Sequence, residues 1–487
     1  MITTLVWALG GCADRAPEPA VDPVDPVDPV DESDGQEPGG DGTSVEEDPP
    51  GTVVPAVALE PAEVFPGRTV ELVVRGTGTA WTDGVAVDLG PDLMASDVTV
   101  ASPTEVHATV IVPDDAAFGP LDVTVGQGTD ALVASLEVVP SLSFSQLYGT
   151  TAQGSKLFII VDNLDTTPFD LSHDYVDDGT GTYADVYTDL RIVTPDGIVT
   201  WYGPGSGDDP HTLGLVFALD VDAPVGPLEV QVVSGTQHTL FRSEAIEIAA
   251  RAPVPLVEGE VAEATLPALG DSLTFSFGAE RSIFSLDALP VGNSDEPWIT
   301  LLGPSGSFAE PTVAFGPQAA AMSDGPVYAV VSDGYGFSTN LDFTIVGRSA
   351  PLGTAVVAEA EPNDAIDTAQ AVALPITVEG GALEVRPDGA FGEDWYRVEI
   401  GPEDADRSLA ISTTGPSEEA TDTRVRILDA AGAVLLDQDN PNLSFSYHET
   451  VFAPPLGAGT FYVVVSSDQA PYPWAATYSV GLALAAP

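Results

Sequence analysis

A single cysteine in 487 residues rules out a disulfide framework, so the folded parts must be held by their apolar cores. Bases are almost as scarce: 14 Lys and Arg stand against 75 Asp and Glu, a net charge of −61, and Lys156 is the only lysine. Such a chain has no clustered cations with which to hold phosphates, which excludes nucleic acid as a partner. The apolar run at the start, Ile2 to Leu9, is too short to cross a bilayer as a helix. No long stretch carries a helical period. The five histidines, His107, His173, His211, His238 and His448, form no i,i+4 metal pair, and His448-Glu449 lacks the second histidine of a zinc protease motif. No Gly-x-Ser-x-Gly elbow occurs. With no catalytic motif, the chain reads as a non-enzyme.

What is there begins at the N-terminus. Leu9-Gly10-Gly11-Cys12 closes the apolar run, and the sequence resembles the lipobox of bacterial lipoproteins. That resemblance implies cleavage before Cys12 and acylation of its thiol and new amine. It also implies attachment to a membrane through the lipid and display at the cell surface, with the outer membrane expected and a secreted or periplasmic location as the alternative. Multiple acyl chains matter here, because one alone anchors only marginally. No Lys or Arg precedes the run, as a secretory signal normally requires; a start upstream of Met1 is the expectation. Residues 13–52 then form an acidic tether built on repeated Val-Asp-Pro with no aromatic residue. Proline at every third position forbids a helix and favours an extended chain, while the carboxylates repel one another. Such a segment buries too little apolar surface to order itself, and at about 3.1 Å per residue it spans on the order of 100 Å.

Beyond the tether, Val, Thr, Gly and Pro dominate, and runs such as Leu121-Asp-Val-Thr-Val and Leu228-Glu-Val-Gln-Val alternate at the strand period. The expected fold is all-β: a linear array of about four β-sandwiches of near 100 residues each, two Ig-like and then two jelly-roll-like. The boundaries read as 1–12 for the signal peptide, 13–52 for the tether, and 53–140, 141–250, 251–350 and 351–487 for the sandwiches. Internal echoes support them. Asp115-Ala-Ala-Phe-Gly-Pro-Leu-Asp-Val-Thr-Val returns as Asp222-Ala-Pro-Val-Gly-Pro-Leu-Glu-Val-Gln-Val, and Pro326-Val-Tyr-Ala-Val-Val-Ser-Asp333 returns in Gly459-Thr-Phe-Tyr-Val-Val-Val-Ser-Ser-Asp468.

Two of the modules resemble known families. Val57-Ala-Leu-Glu-Pro-Ala-Glu-Val-Phe-Pro-Gly, the Gly76-Thr-Gly turn and Ser102-Pro-Thr before a strand resemble the immunoglobulin-like IPT/TIG domains of bacterial surface proteins. The second module resembles them loosely, with an insertion around Asp174–Asp185. In the last module Glu361-Pro-Asn-Asp364, Asp367-Thr-Ala369, Asp394-Trp-Tyr396, Ala458-Gly-Thr-Phe-Tyr462 and Tyr478-Ser-Val resemble the bacterial pre-peptidase C-terminal domain, the family of collagenase collagen-binding domains. Residues 251–350 look like a degenerate copy without the acidic opening.

The chemistry concentrates in Glu359-Ala-Glu361-Pro-Asn363-Asp364. In an extended segment residues i, i+2 and i+4 face one side, so Glu359, Glu361 and Asn363 present their oxygens together, and Asp364 follows at the turn. Calcium takes six to eight oxygens at about 2.3–2.6 Å from mixed carboxylates, amides and carbonyls. The resemblance implies a structural calcium held by this run and two later aspartates. Asp394 matches one of them; the other position holds Phe391, leaving Asp388 or Glu393 as substitutes. The competing reading is an acid-rich linker in an acid-rich chain. Other features are weaker. The acidic loop Asp174–Asp189 lacks EF-hand spacing, and Gly179-Thr-Gly-Thr-Tyr-Ala184 imitates a dinucleotide fingerprint beside two repelling aspartates with no helix after it. Trp81, Trp201, Trp298 and Trp395 are expected in cores. The functional expectation is a surface binding or adhesion array with an extracellular protein or polysaccharide as partner; the alternative is an accessory or scaffold for a secreted hydrolase.

Overall fold

The computed structural model describes residues 54–126, 130–177, 183–205, 209–292, 296–308, 318–333, 340–383, 392–415, 423–438, 449–467 and 476–486. Cys12, the tether, Asp388 and Phe391 lie outside them. Within them the chain is strand after strand, with a 3-10 turn at Pro402–Asp404 and no α-helix, and the fold is an all-β array of sandwiches. No described helix is long and apolar enough to cross a membrane.

The first sandwich faces one four-stranded sheet (Ala56–Glu60, Thr69–Thr77, Glu105–Ile111, Met94–Ser102) with another (Glu63–Val64, Leu132–Val138, Gly119–Gly126, Ala86–Asp88). Alternation fills the space between them with Leu72, Val74, Val106, Val110, Val123 and Leu136, and Trp81 joins this core. In the second, seven strands form one continuous sheet in the order Leu190–Val193, Gly226–Ser234, Thr239–Ile248, Leu142–Gly149, Ser155–Asn163, Thr212–Leu219, Ile198–Pro204. The insertion is a hairpin, His173–Asp177 against Tyr183–Tyr187. The echo between these two modules is structural as well: Gly119 and Gly226 each open the strand that follows them with φ of +125° and +119°, a backbone conformation side chains rarely adopt.

The third sandwich pairs Val254–Pro255, Ser272–Phe277, Val327–Asp333, Pro297–Leu302 in one sheet and Val261–Leu266, Leu341–Pro351, Ser282–Pro290, Gln318–Ser323 in the other. The fourth follows the same order with an extra strand at one end of each sheet. Its sheets are Gln370–Val372, Asp394–Ile400, Gly459–Ser466, Arg424–Asp429, Val434–Gln438 and Val356–Ala358, Ile376–Leu383, Ala476–Ala485, Ser408–Thr414, Thr450–Phe452. In both, a short strand joins parallel to a long one, Val254–Pro255 to Ser272–Phe277 and Gln370–Val372 to Asp394–Ile400. The echoed segments Val327–Asp333 and Gly459–Ser466 occupy the same interior place. The third and fourth sandwiches are thus two copies of one topology.

Candidate functional site

Extended chain enters the fourth sandwich through Val356–Ala358, which lies parallel on Ile376–Leu383, and Glu359 N continues the pairing to Glu379 O at 2.9 Å. The acidic run begins there. Glu359, Glu361 and Asp394 bring one carboxylate oxygen each to within 4.8 Å of the others. Asp394 is buried, Glu359 half-buried and Glu361 exposed, so the group runs inward from the surface. Asn363 is fully buried beside them: its Nδ2 donates to Glu359 Oε1 at 3.1 Å, its backbone N–H donates to Glu361 Oε2 at 2.9 Å, and its carbonyl accepts from Trp395 N at 2.9 Å. Its Oδ1 is buried with no hydrogen-bond partner. Buried oxygens are nearly always satisfied, so this orphan, on the amide whose Nδ2 reaches Glu359, calls for a partner such as a cation or an ordered water. Asp364 is exposed and outside the group. Glu393 turns away, with Oε1 accepting from Arg426 at 2.6 Å and Oε2 from the Trp395 indole at 3.3 Å.

Behind the carboxylates lies a chain of hydroxyls. Tyr396 Oη stands 2.9 Å from Glu359 Oε1 and 2.6 Å from Tyr478 Oη, which stands 2.6 Å from Asp394 Oδ2. These three contacts require three protons, and the two hydroxyls supply two. A protonated carboxyl supplies the third. Burial pushes the Asp394 carboxyl up to about 8; the Tyr478 hydroxyl pulls it back, and the neighbouring Glu359 and Glu361 charges raise it further. Burial likewise raises both tyrosines.

The third sandwich supplies an internal comparison. Its Leu273 faces Val331 as Asp394 faces Val465, and its Phe275 faces Ala329 as Tyr396 faces Val463. Where Tyr396 meets Tyr478, Phe275 meets Phe343 edge to face, with centroids 6.1 Å apart. One topology therefore folds with leucine and two phenyl rings here, and the polar set of the fourth sandwich is not something the fold demands. Proximity in sequence made the acidic run visible. Tyr478, noticed only as part of a closing motif, reaches the site across 84 residues. Trp395, expected in the core, is half-buried on the opposite side of its strand against Tyr462, because strand alternation sends Tyr396 inward instead. Trp201 and Trp298 are half-buried as well, Trp201 packing against a buried cluster, and Trp81 lies in the core of the first sandwich.

Residues 54–139 match the family model of the quinohemoprotein amine dehydrogenase alpha subunit domain III, a family other than the IPT/TIG one. A comparison with curated proteins finds no match. Among solved structures, the chain is similar to a Bacteroides ovatus mixed-linkage glucan utilization locus protein, SGBP-B, in complex with a mixed-linkage heptasaccharide. The identity is 10%, coverage is 87% of this chain and 93% of that one, and the TM-score is 0.17. The N-terminal Ig1-2 module of the Drosophila receptor protein tyrosine phosphatase DLAR is 9% identical over 41% of this chain and 99% of its own, with a TM-score of 0.13. An I-band fragment of titin is 10% identical over 57% and 88%, with a TM-score of 0.15. Likenesses this distant carry no argument about what the chain binds. The matched family model covers only the first sandwich.

Proposed function

We propose that this protein is a lipid-anchored surface array of non-catalytic binding modules whose fourth sandwich holds a structural calcium ion. The observation that carries the calcium reading is the buried, unpartnered Asn363 Oδ1 beside the convergent oxygens of Glu359, Glu361 and Asp394. Carboxylate and amide oxygens without nitrogen or sulfur suit a hard cation. A set running from the buried Asp394 to the exposed Glu361 lets an ion be taken up from solution. Bound there, the ion would neutralise the grouped acids, satisfy the orphan amide and tie the entering strand to the sheet that carries Asp394. The array reading rests on the sandwich architecture, the absence of a catalytic motif in the sequence and the Leu9-Gly-Gly-Cys12 start; adhesion to an extracellular protein or polysaccharide is the expected work.

Calorimetric titration of the full chain with calcium, in about 0.1 M KCl to screen diffuse binding to the acidic surface, tests the site. One saturable equivalent is expected, with little heat from magnesium, which resists dehydration in a site of this kind. Glu361→Gln and Asn363→Leu are each expected to abolish or greatly weaken that equivalent. Heat that is only diffuse and unchanged in both variants would reduce these acids to a solvated linker.

A further inference from the structure

The second and third sandwiches meet through more than apolar packing. Ala218, Leu302, Phe308 and Val330 form a buried cluster, with Val199, Trp201, Val221 and Tyr328 packed around it. Two backbone bonds cross the joint, Gly149 N–H to Leu269 O at 3.1 Å and Val221 N–H to Gly306 O at 3.0 Å. Gly149 and Gly270 stand against each other there, and a Cβ on Gly149 would lie 2.9 Å from Gly270 O. Thr150 Oγ1 donates to Asp271 Oδ1 at 2.7 Å, Phe308 N–H to Asp220 Oδ1 at 2.7 Å, and the Thr274 hydroxyl to Gly154 O.

Arg251, on the connection between the sandwiches, binds both. Its Nε and Nη2 donate to Gln153 O and Gly154 O at 3.2 and 3.0 Å, and its Nη1 to Ser272 O at 2.8 Å. The chain's only lysine sits half-buried in the same joint, with Lys156 Nζ 2.8 Å from Thr300 Oγ1 and 5.9 Å from the centre of the Phe308 ring. Opening this joint would part Ser272 O from Gln153 O and Gly154 O, which one guanidinium now satisfies together, and expose the cluster to water. The third and fourth sandwiches also meet, through a larger apolar cluster of Ala350, Ala410, Ala483 and Ala485 with Ile283 and Leu352, on which Met322 and Phe452 pack.

We propose that the second and third sandwiches are one cooperative body, locked through Arg251, in which neither opens without the other. The consequence for an array is a fixed element: binding surfaces carried by these two modules keep a constant spacing and orientation. The coupling is local to this joint, so it stands whether or not the fourth sandwich binds calcium.

Hydrogen exchange of the full chain, read by mass spectrometry in the regime where rates report opening equilibria, tests this. Ile299→Val trims the core of the third sandwich alone. It is expected to speed exchange about three- to tenfold in Ser272–Phe277 and Val327–Asp333, and by the same factor in Ser155–Asn163 and Thr212–Leu219 of the second. Phe343→Ala should do so about a hundredfold or more in both sets, if it folds. On an Arg251→Ala background the Ile299→Val effect should retreat to the third sandwich. Strand Thr69–Thr77 of the first sandwich serves as the reference. An Ile299→Val effect confined to the third sandwich in the otherwise unaltered chain would overturn the proposal.

Discussion

Lys156 is a charge placed where charge is costly. Burial lowers its pKa from 10.5 to about 8, so the folded joint prefers the neutral amine. The sign follows from proton counting. Between about pH 8 and 10.5 the unfolded chain binds more protons at this residue than the folded one, so stability rises with pH across that window. Below it both states are protonated and the whole cost is present. Among the described residues, Arg251, Asp220 and Asp271 are ionisable groups that also bond across this joint, and Tyr328 packs beside it, so the effect is best isolated as a difference. Lys156→Met keeps the length of the side chain and removes the titration. The second and third sandwiches of the parent should gain stability relative to this variant from pH 8 to 10.5, read by denaturant unfolding of the full chain. At pH 7 the variant should be at least as stable as the parent, since an apolar isostere relieves the desolvation. A difference that stays constant with pH would mean that the amine is hydrated in the folded protein.

At the scale of single elements, the strands Asp394–Ile400 and Ala476–Ala485 explain how far the sequence could be read. Their alternation is plain, and so is the acidic run before them. Their pairing into a site is not, because Tyr478 meets Tyr396 and Asp394 only after the two sheets close over one another. Asn363 is similar: spacing places it on the side of Glu359 and Glu361, but only the folded chain shows its amide oxygen sealed from water. The joint between the second and third sandwiches was illegible for the same reason, since Arg251 and Lys156 find partners in a different module. Alternation also explains the misreading of Trp395, because an aromatic pair on one strand must send its members to opposite faces. The third sandwich then makes a test possible. Since Phe275 and Phe343 pack where Tyr396 and Tyr478 do, Tyr478→Phe should leave the fourth sandwich folded, with an unchanged circular dichroism spectrum. It should nonetheless lower calcium affinity about tenfold to a hundredfold, the usual effect of removing a group that orients a metal ligand. Equal affinity in parent and variant would show that Asp394 is held in place without the hydroxyl.

Over the whole molecule the dominant quantity is a net charge of −61. An acidic surface keeps the chain soluble and repels it from anionic lipid headgroups, so electrostatics alone will not hold it on a membrane. A covalent lipid would supply the attachment that charge does not, and Cys12 is the only thiol in these 487 residues. Cys12→Ala, expressed in a Gram-negative host with a signal sequence added upstream in both proteins, should therefore move the chain from the membrane fraction to the soluble one. The parent should resist extraction by high salt and yield to detergent, because acyl chains are released by detergent while charge contacts are released by salt. Equal partitioning of parent and variant, or loss of the parent in salt alone, would remove the lipid anchor and leave the array to be explained as a freely secreted protein.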